Sequence, residues 1–240
     1  MNFLAHFAFN HGPGGPAPDP YFVAGVTLPD LWPQLSRTRR LRWSVIRATP
    51  PRDSTDAALR AGLLNHVGVD RRFHTLPAFL IWQERVRADL DGGQMPAAAR
   101  DFLAHLVVEL ALDRWLVGGD PDLPRRYYDL LARCDAAAIE RRINRLAGVD
   151  ARGLADVLRG FVERRFLCRL HEPDAPLRIV DFVLRLAGLA VPPETLRRVL
   201  GRAARCVDAA LIWRALGASG VRGFASPTAE AAGRPAAVGG

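Results

Sequence analysis

The chain has no lysine, so its formal charge of +8 is carried wholly by arginine. Beside so much Ala, Gly and Pro, that bias reads as the mark of a GC-rich genome. The positive balance favours acidic partners: nucleic acid, phosphate esters or an acidic protein. Interleaved basic and aromatic residues that single out nucleic acid are missing, so no nucleic acid is expected. Cysteine is scarce. Cys134, Cys168 and Cys206 are far apart, odd in number and form no CxxC pair. That argues against a disulfide framework and for buried thiols in a reducing cytoplasm. No apolar run reaches transmembrane length, and the first six residues lack the basic start of a signal peptide, so a cytoplasmic location is expected. Strict period-2 alternation is absent, which excludes an evident sheet. Gly12-Pro13-Gly14-Gly15 lacks the GxxxxGK[ST] pattern and follows no strand, so it is not a P-loop. No serine or cysteine nucleophile motif stands out.

What is present is one spacing used twice. His66, Asp70 and His74 stand four residues apart, as do His105, Glu109 and Asp113. On an α-helix such residues share a face about 6 Å apart along the axis. Each set is a ladder of metal-type ligands, and together they hold three of the chain's six histidines. Between Phe102 and Leu112, His105 and Glu109 are the only polar residues. A helix apolar nearly all round is buried, and a buried carboxylate is paired, protonated or bound to a metal. Taken alone, each ladder is equally explained as a buried polar pair that serves packing.

One helix cannot wrap one ion. Positions i and i+8 are about 12 Å apart along the axis, while metal–ligand bonds are about 2 Å. Each helix offers two neighbouring ligands to one metal, or one ligand to each of two, and facing helices must complete the shell. Imidazole mixed with carboxylate suits Mn, Fe, Zn or Mg better than a thiolate-selective site. His6, in an apolar segment, is either a ligand or a core histidine bonded to a carbonyl. Asp30 reads as a turn or cap aspartate, or as a further ligand. Arg71 and Arg72 flank the first ladder and are placed to grip a phosphate, or to solvate a helix face. His11 and His171 read as loop or surface residues.

The spacing predicts one helical domain over 1–216 and a disordered tail over 217–240. Expected helices cover Met1–Asn10, Ala57–Phe73, Pro77–Leu90, Pro96–Val117, Leu123–Cys134, Ala136–Leu146, Gly153–Leu170, Pro176–Leu186 and Glu194–Leu216. Gly12–Pro20 reads as a loop, Pro29–Pro33 as a turn, Gln34–Asp56 as a loop or partly ordered segment, and Asp91-Gly92-Gly93 as a break.

Met1-Asn2-Phe3-Leu4-Ala5-His6 resembles the start of bacterial acyl carrier protein phosphodiesterases. Ala24-Gly25-Val26-Thr27-Leu28-Pro29-Asp30 is similar to the small-residue stretch that ends in their aspartate. Asp70-Arg71-Arg72-Phe73-His74 and Glu109-Leu110-Ala111-Leu112-Asp113-Arg114 resemble their Arg-rich and acidic helices. The likeness runs in order over roughly residues 1 to 116. It differs in that the family reads His-Arg-x-Ile-Asp where this chain has Asp70 to His74, so His and Asp are exchanged. The family also has Asp-His where this chain has Glu109-Leu110. The resemblance implies an all-α, HD-domain-like helical bundle. It implies Mn-dependent release of 4′-phosphopantetheine from holo-acyl carrier protein, an acidic partner that the positive charge suits. It also implies that Asp30 is the metal-site aspartate needed for activity and that His6 lies close to the metal. The expected catalytic residues are Asp30, His66 and Asp70. The expected metal ligands are His6, Asp30, His66, Asp70, His74, His105 and Glu109, and the expected phosphate ligands are Arg71 and Arg72. Two alternatives stay open: an HD-like or zinc phospholipase C-like phosphoesterase with another substrate, and a non-catalytic helical binding protein.

Overall fold

The computed structural model describes residues 3–11, 18–90 and 95–218, and among them the chain is all-α with no strand. The helices are α1 (Phe3–Asn10), α2 (Pro20–Leu35), α3 (Trp43–Ala48), α4 (Ser54–Thr75), α5 (Pro77–Ala88), α6 (Ala97–Gly119), α7 (Leu123–Leu131), α8 (Ala136–Ala147), α9 (Leu154–Arg164), α10 (Ala175–Leu186), α11 (Pro193–Cys206) and α12 (Ala209–Ala218). A 3-10 turn at Phe166–Arg169 follows α9. The tail expected to be disordered over 217–240 starts inside α12, which carries on to Ala218; from residue 219 on it lies outside the described residues, as does the break expected at Asp91-Gly92-Gly93.

Several boundaries differ from the expectation, each for a physical reason. Pro29–Pro33 is not a turn but the interior of α2. Prolines at these positions each remove one backbone hydrogen bond, at a cost of about 3 kcal/mol. The helix carries on because its other residues, from Val23 through Leu28 and then Leu31 and Trp32, are buried. Pro20 at its first turn and Asp19, whose carboxylate accepts from the amides of Tyr21 and Phe22, fix its start. The segment 34–56 also contains α3, anchored by the fully buried Ile46. The expected helix over 153–170 breaks at Arg165, whose φ of 42° is left-handed. The one expected over 194–216 divides into α11 and α12 at Val207 and Asp208. Cys134 and Cys168 are half-buried free thiols rather than fully buried ones.

The two ladder helices meet the rest of the molecule differently. α4 packs most extensively on α2. The backbones touch there: a Cβ on Gly25 would sit 2.2 Å from the Leu59 carbonyl oxygen, and one on Gly62 would sit 2.1 Å from that of Phe22. Only glycine at both positions permits this approach. α6 runs through the interior, with Leu103, Ala104, Val108 and Leu112 at zero exposure, and contacts α1, α5, α7, α10, α11 and α12. Buried side chains from Phe3 to Leu216 form one contiguous cluster. α4 and α6 therefore both line the core, and their polar ladders point toward a shared interior.

Candidate metal centre

The ladder residues separate into two groups of three. His6, His66 and Asp70 bring one ligand atom each within 4.8 Å of the others, and so do His74, His105 and Glu109. Each group draws on two helices. The first joins α1 to α4 and the second joins α4 to α6. The facing-helix requirement is met for both.

In the second group, Glu109 Oε1 lies 3.1 Å from His105 Nε2 and 3.3 Å from His74 Nε2. Ligand atoms about 2.1 Å from a tetrahedral ion stand about 3.4 Å apart, so these spacings match a site that holds one. Glu109 is 2% exposed. Burial opposes its ionisation, yet its surroundings, including the imidazoles of His105 and His74, hold its carboxyl well below the usual range. His74 faces two carboxylates, with Nδ1 3.4 Å from Asp70 Oδ2 and Nε2 toward Glu109. Burial works against its cation, but Glu109 and Asp70 raise its pKa.

In the first group, His6 Nε2 lies 3.8 Å from Asp70 Oδ1, too far for a hydrogen bond. Both ring nitrogens of His6 are buried without a hydrogen-bond partner. Its ring stacks on that of His66, with centroids 4.3 Å apart. A buried imidazole left unsatisfied costs about 1–3 kcal/mol. A divalent ion between His6, His66 and Asp70 would satisfy it, and the donor set fits such an ion. His66 Nδ1 donates to the Val26 carbonyl at 2.9 Å, which frees Nε2 as the ligand nitrogen. Burial lowers the His66 pKa, with Asp30 and Asp70 opposing, so the ring is held neutral as a ligand must be. Asp70 suffers from burial too, yet His6, His74 and His66 around it keep its carboxyl below the ordinary value. It touches both groups and links them.

Local structure holds these side chains in place. Asp113, the last rung of the second ladder, does not join a metal group. Its carboxyl accepts from the amides of Ala5 at 2.8 Å and Leu4 at 3.3 Å, capping α1 from a distance. Burial pushes this carboxyl up to about 8, with the two amide donors opposing. Asn10 donates to the His6 carbonyl and to Asn65 Oδ1, tying α1 to α4 beside His66.

A cleft of about 710 Å³ opens on the second group, lined by His105 and Glu109 together with Asp30, Phe102, Arg37 and Arg40. Asp30 is thus on the cleft wall and acts on His66 by its charge, while it stands outside both groups of three. Arg71 and Arg72 are exposed on α4 and do not line the cleft. They follow Asp70 by one and two residues, which turns them about 100° and 200° away from the ladder face. Arg37 and Arg40 line the cleft, and neither has a carboxylate partner among the described residues. Sequence reasoning missed these two because the Arg-rich stretch around them shows no periodicity. His11 is a loop residue, as expected, in a bend just past α1; it is half-buried against Phe7 and Phe22, and burial lowers its pKa to about 4. His171 is exposed, as expected. No family model matches this chain, and comparison with curated proteins and with solved structures gave no significant match.

Proposed function

We propose that this chain is a metal-dependent phosphodiester hydrolase with an HD-like helical arrangement. Two divalent-metal positions are joined through Asp70 and His74, and manganese is the first candidate. The observation that carries this reading is the pair of three-ligand groups, one of which contains a buried imidazole with two unpartnered nitrogens. His6, His66 and Asp70 would hold one ion, and His74, His105 and Glu109 the other. Such an ion supplies a lowered water pKa and polarises a phosphoryl oxygen.

The chain's own residues supply the rest. Arg37 and Arg40 balance the negative charge of a phosphoryl group in the cleft, where paired guanidinium groups suit phosphate geometry. Asp30, on the same wall, accepts a proton from a water near His105 and Glu109. The Val26 carbonyl keeps His66 in one tautomer. Phe102, Trp43 and Leu186 narrow the cleft and limit water around the reacting group. By its resemblance over roughly residues 1 to 116, the first substrate to try is holo-acyl carrier protein.

The test is to measure bound metal in the purified protein, then add Mn²⁺ with holo-acyl carrier protein and, separately, a panel of phosphodiesters, nucleotides and phospholipids. Release of phosphopantetheine supports the named substrate. Turnover of another ester alone retains the class and replaces the substrate, and absence of bound metal removes the class. A non-catalytic binding protein is the second reading, favoured by the mutual pairing of His74, His105 and Glu109. It leaves the unpartnered His6 without an explanation.

A further inference from the structure

The metal cleft has an apolar annex. A second recess of about 190 Å³ is lined by Phe161, Phe166, Ile179 and Phe182, with Arg164 and Arg178 among its remaining walls. Gln34 and Val183 line both cavities, so the two are neighbours that share a wall. One side of α10 connects them. Ile179, Phe182 and Val183 face the recess, and Val183, Leu186 and Ala187 face the cleft. These positions follow the i, i+3, i+4, i+7 spacing of a single helix face and extend about 12 Å along the axis. The stripe is not used up by the core: Phe182 is 40% exposed, and Phe102 across the cleft is 37% exposed. Arg37 and Arg40, with no carboxylate partner among the described residues, stand at the cleft end of this path; at the recess end Phe161, Phe166, Ile179 and Phe182 form the apolar wall, and of its arginines Arg169 and Arg178 are paired with Glu172. The cleft thus offers two guanidinium groups without a carboxylate partner among the described residues, and the α10 stripe leads from them to the aromatic wall of the recess.

We propose that cleft and recess together bind an anionic amphiphile, a phosphoester bearing an apolar chain. Its phosphoryl group lies in the cleft beside Arg37 and Arg40, and its chain runs along α10 past Val183 and Phe182 into the recess. The position of the head rests on the hydrolase reading given above; the position of the chain rests on the recess alone. A polar ester of equal charge gains nothing from the recess and is the poorer ligand.

The test uses the full chain loaded with Mn²⁺ and a series of n-alkylphosphonates from methyl to octyl, with affinity measured by calorimetry. Affinity is expected to rise about fourfold for each added methylene that is buried, then level off when the recess is full. Phe182→Ser, at an exposed position, is expected to reduce the octyl-to-methyl affinity ratio at least tenfold while circular dichroism stays unchanged. Ile179→Asp, deeper in the recess, abolishes the gradient. Equal affinity for methyl and octyl phosphonates overturns the inference, and so does a gradient that both variants leave intact. Alkyl 4-nitrophenyl phosphodiesters of the same chain lengths separate this from the catalytic reading. Turnover with no chain-length dependence in binding removes the recess and keeps the hydrolase. A binding gradient without turnover of any ester keeps the chain site and removes the hydrolase.

Discussion

At the scale of single residues, the site depends on which polar atoms are buried and what satisfies them. His6 and Glu109 are each 2% exposed, yet Glu109 lies within hydrogen-bond reach of two imidazoles while neither ring nitrogen of His6 has a hydrogen-bond partner among the described residues. A metal site and an internal polar network therefore differ in a measurable way. In wild-type protein, metal at 100 times its Kd is expected to raise stability by about 2.7 kcal/mol. His66→Ala and Glu109→Ala should lose most of that increment, read by denaturant titration with and without Mn²⁺. Metal affinity should fall by more than the roughly 10–100-fold typical of outer-shell changes. Equal destabilisation with and without metal would mark the ladders as packing devices. Asp113 is a different case. It caps α1 and so sets the height of His6. Asp113→Ala is expected to cost about 2 kcal/mol and to weaken metal binding indirectly. Asp113→Asn, which matches the neutral acid that burial favours, should cost less than about 1 kcal/mol at pH 7. The ladder spacing revealed the ligand-type residues but not the role of Asp113, because a carboxylate's partner 108 residues away leaves no trace in local periodicity.

At the scale of elements, the crossing of α2 and α4 decides whether His66 reaches Val26. The contact exists because Gly25 and Gly62 let the two backbones meet. His66 stands one turn beyond Gly62 and Val26 immediately follows Gly25, so any separation of the helices lengthens the bond between them. Gly62→Ala would place a methyl 2.1 Å from a carbonyl oxygen. It is expected to destabilise the protein by about 3 kcal/mol and to lower metal stoichiometry, as measured by chemical denaturation and elemental analysis. Gly68, which faces only the tip of Arg72 at 3.9 Å, provides the control: Gly68→Ala should be neutral or slightly stabilising. Helix existence was legible from spacing for α4, α6 and most later helices. The course of α2 through Pro29 and Pro33 was not, because local propensity gave the wrong answer wherever burial outweighed the lost hydrogen bonds.

At the scale of the whole molecule, the site helix α4 is fastened at its other end by ionic contacts to α8. Asp56, fully buried, accepts from the Arg52 amide at 2.8 Å and pairs with Arg142 and Arg145. Burial opposes its charge, but these donors hold its carboxyl below the ordinary 3.8. A depressed folded value means that the stabilisation is present above about pH 3.8 and is lost as pH falls through the folded value. Acid titration of stability should therefore show a loss below about pH 4 that is missing in Asp56→Asn. Asp56→Ala should cost about 3 kcal/mol at pH 7, since two arginines lose a buried partner. Among the described residues no helix is long and apolar enough to cross a membrane, in line with the composition.

The sequence by itself determined the helical class and the two ladders, because both are periodic properties of neighbouring residues and a helix repeats every 3.6 of them. It also pointed to Asp30 and His6 through a likeness of short motifs. Only the tertiary structure decided how the ladder residues divide. His74 leaves its own ladder to join His105 and Glu109, and Asp70 stands between the two groups. The arginines at the cleft are Arg37 and Arg40 in place of Arg71 and Arg72. The division depends on where α1, α4 and α6 cross. That is set by a glycine contact, a distant cap and a shared core, none of which is encoded in the spacing of any one segment.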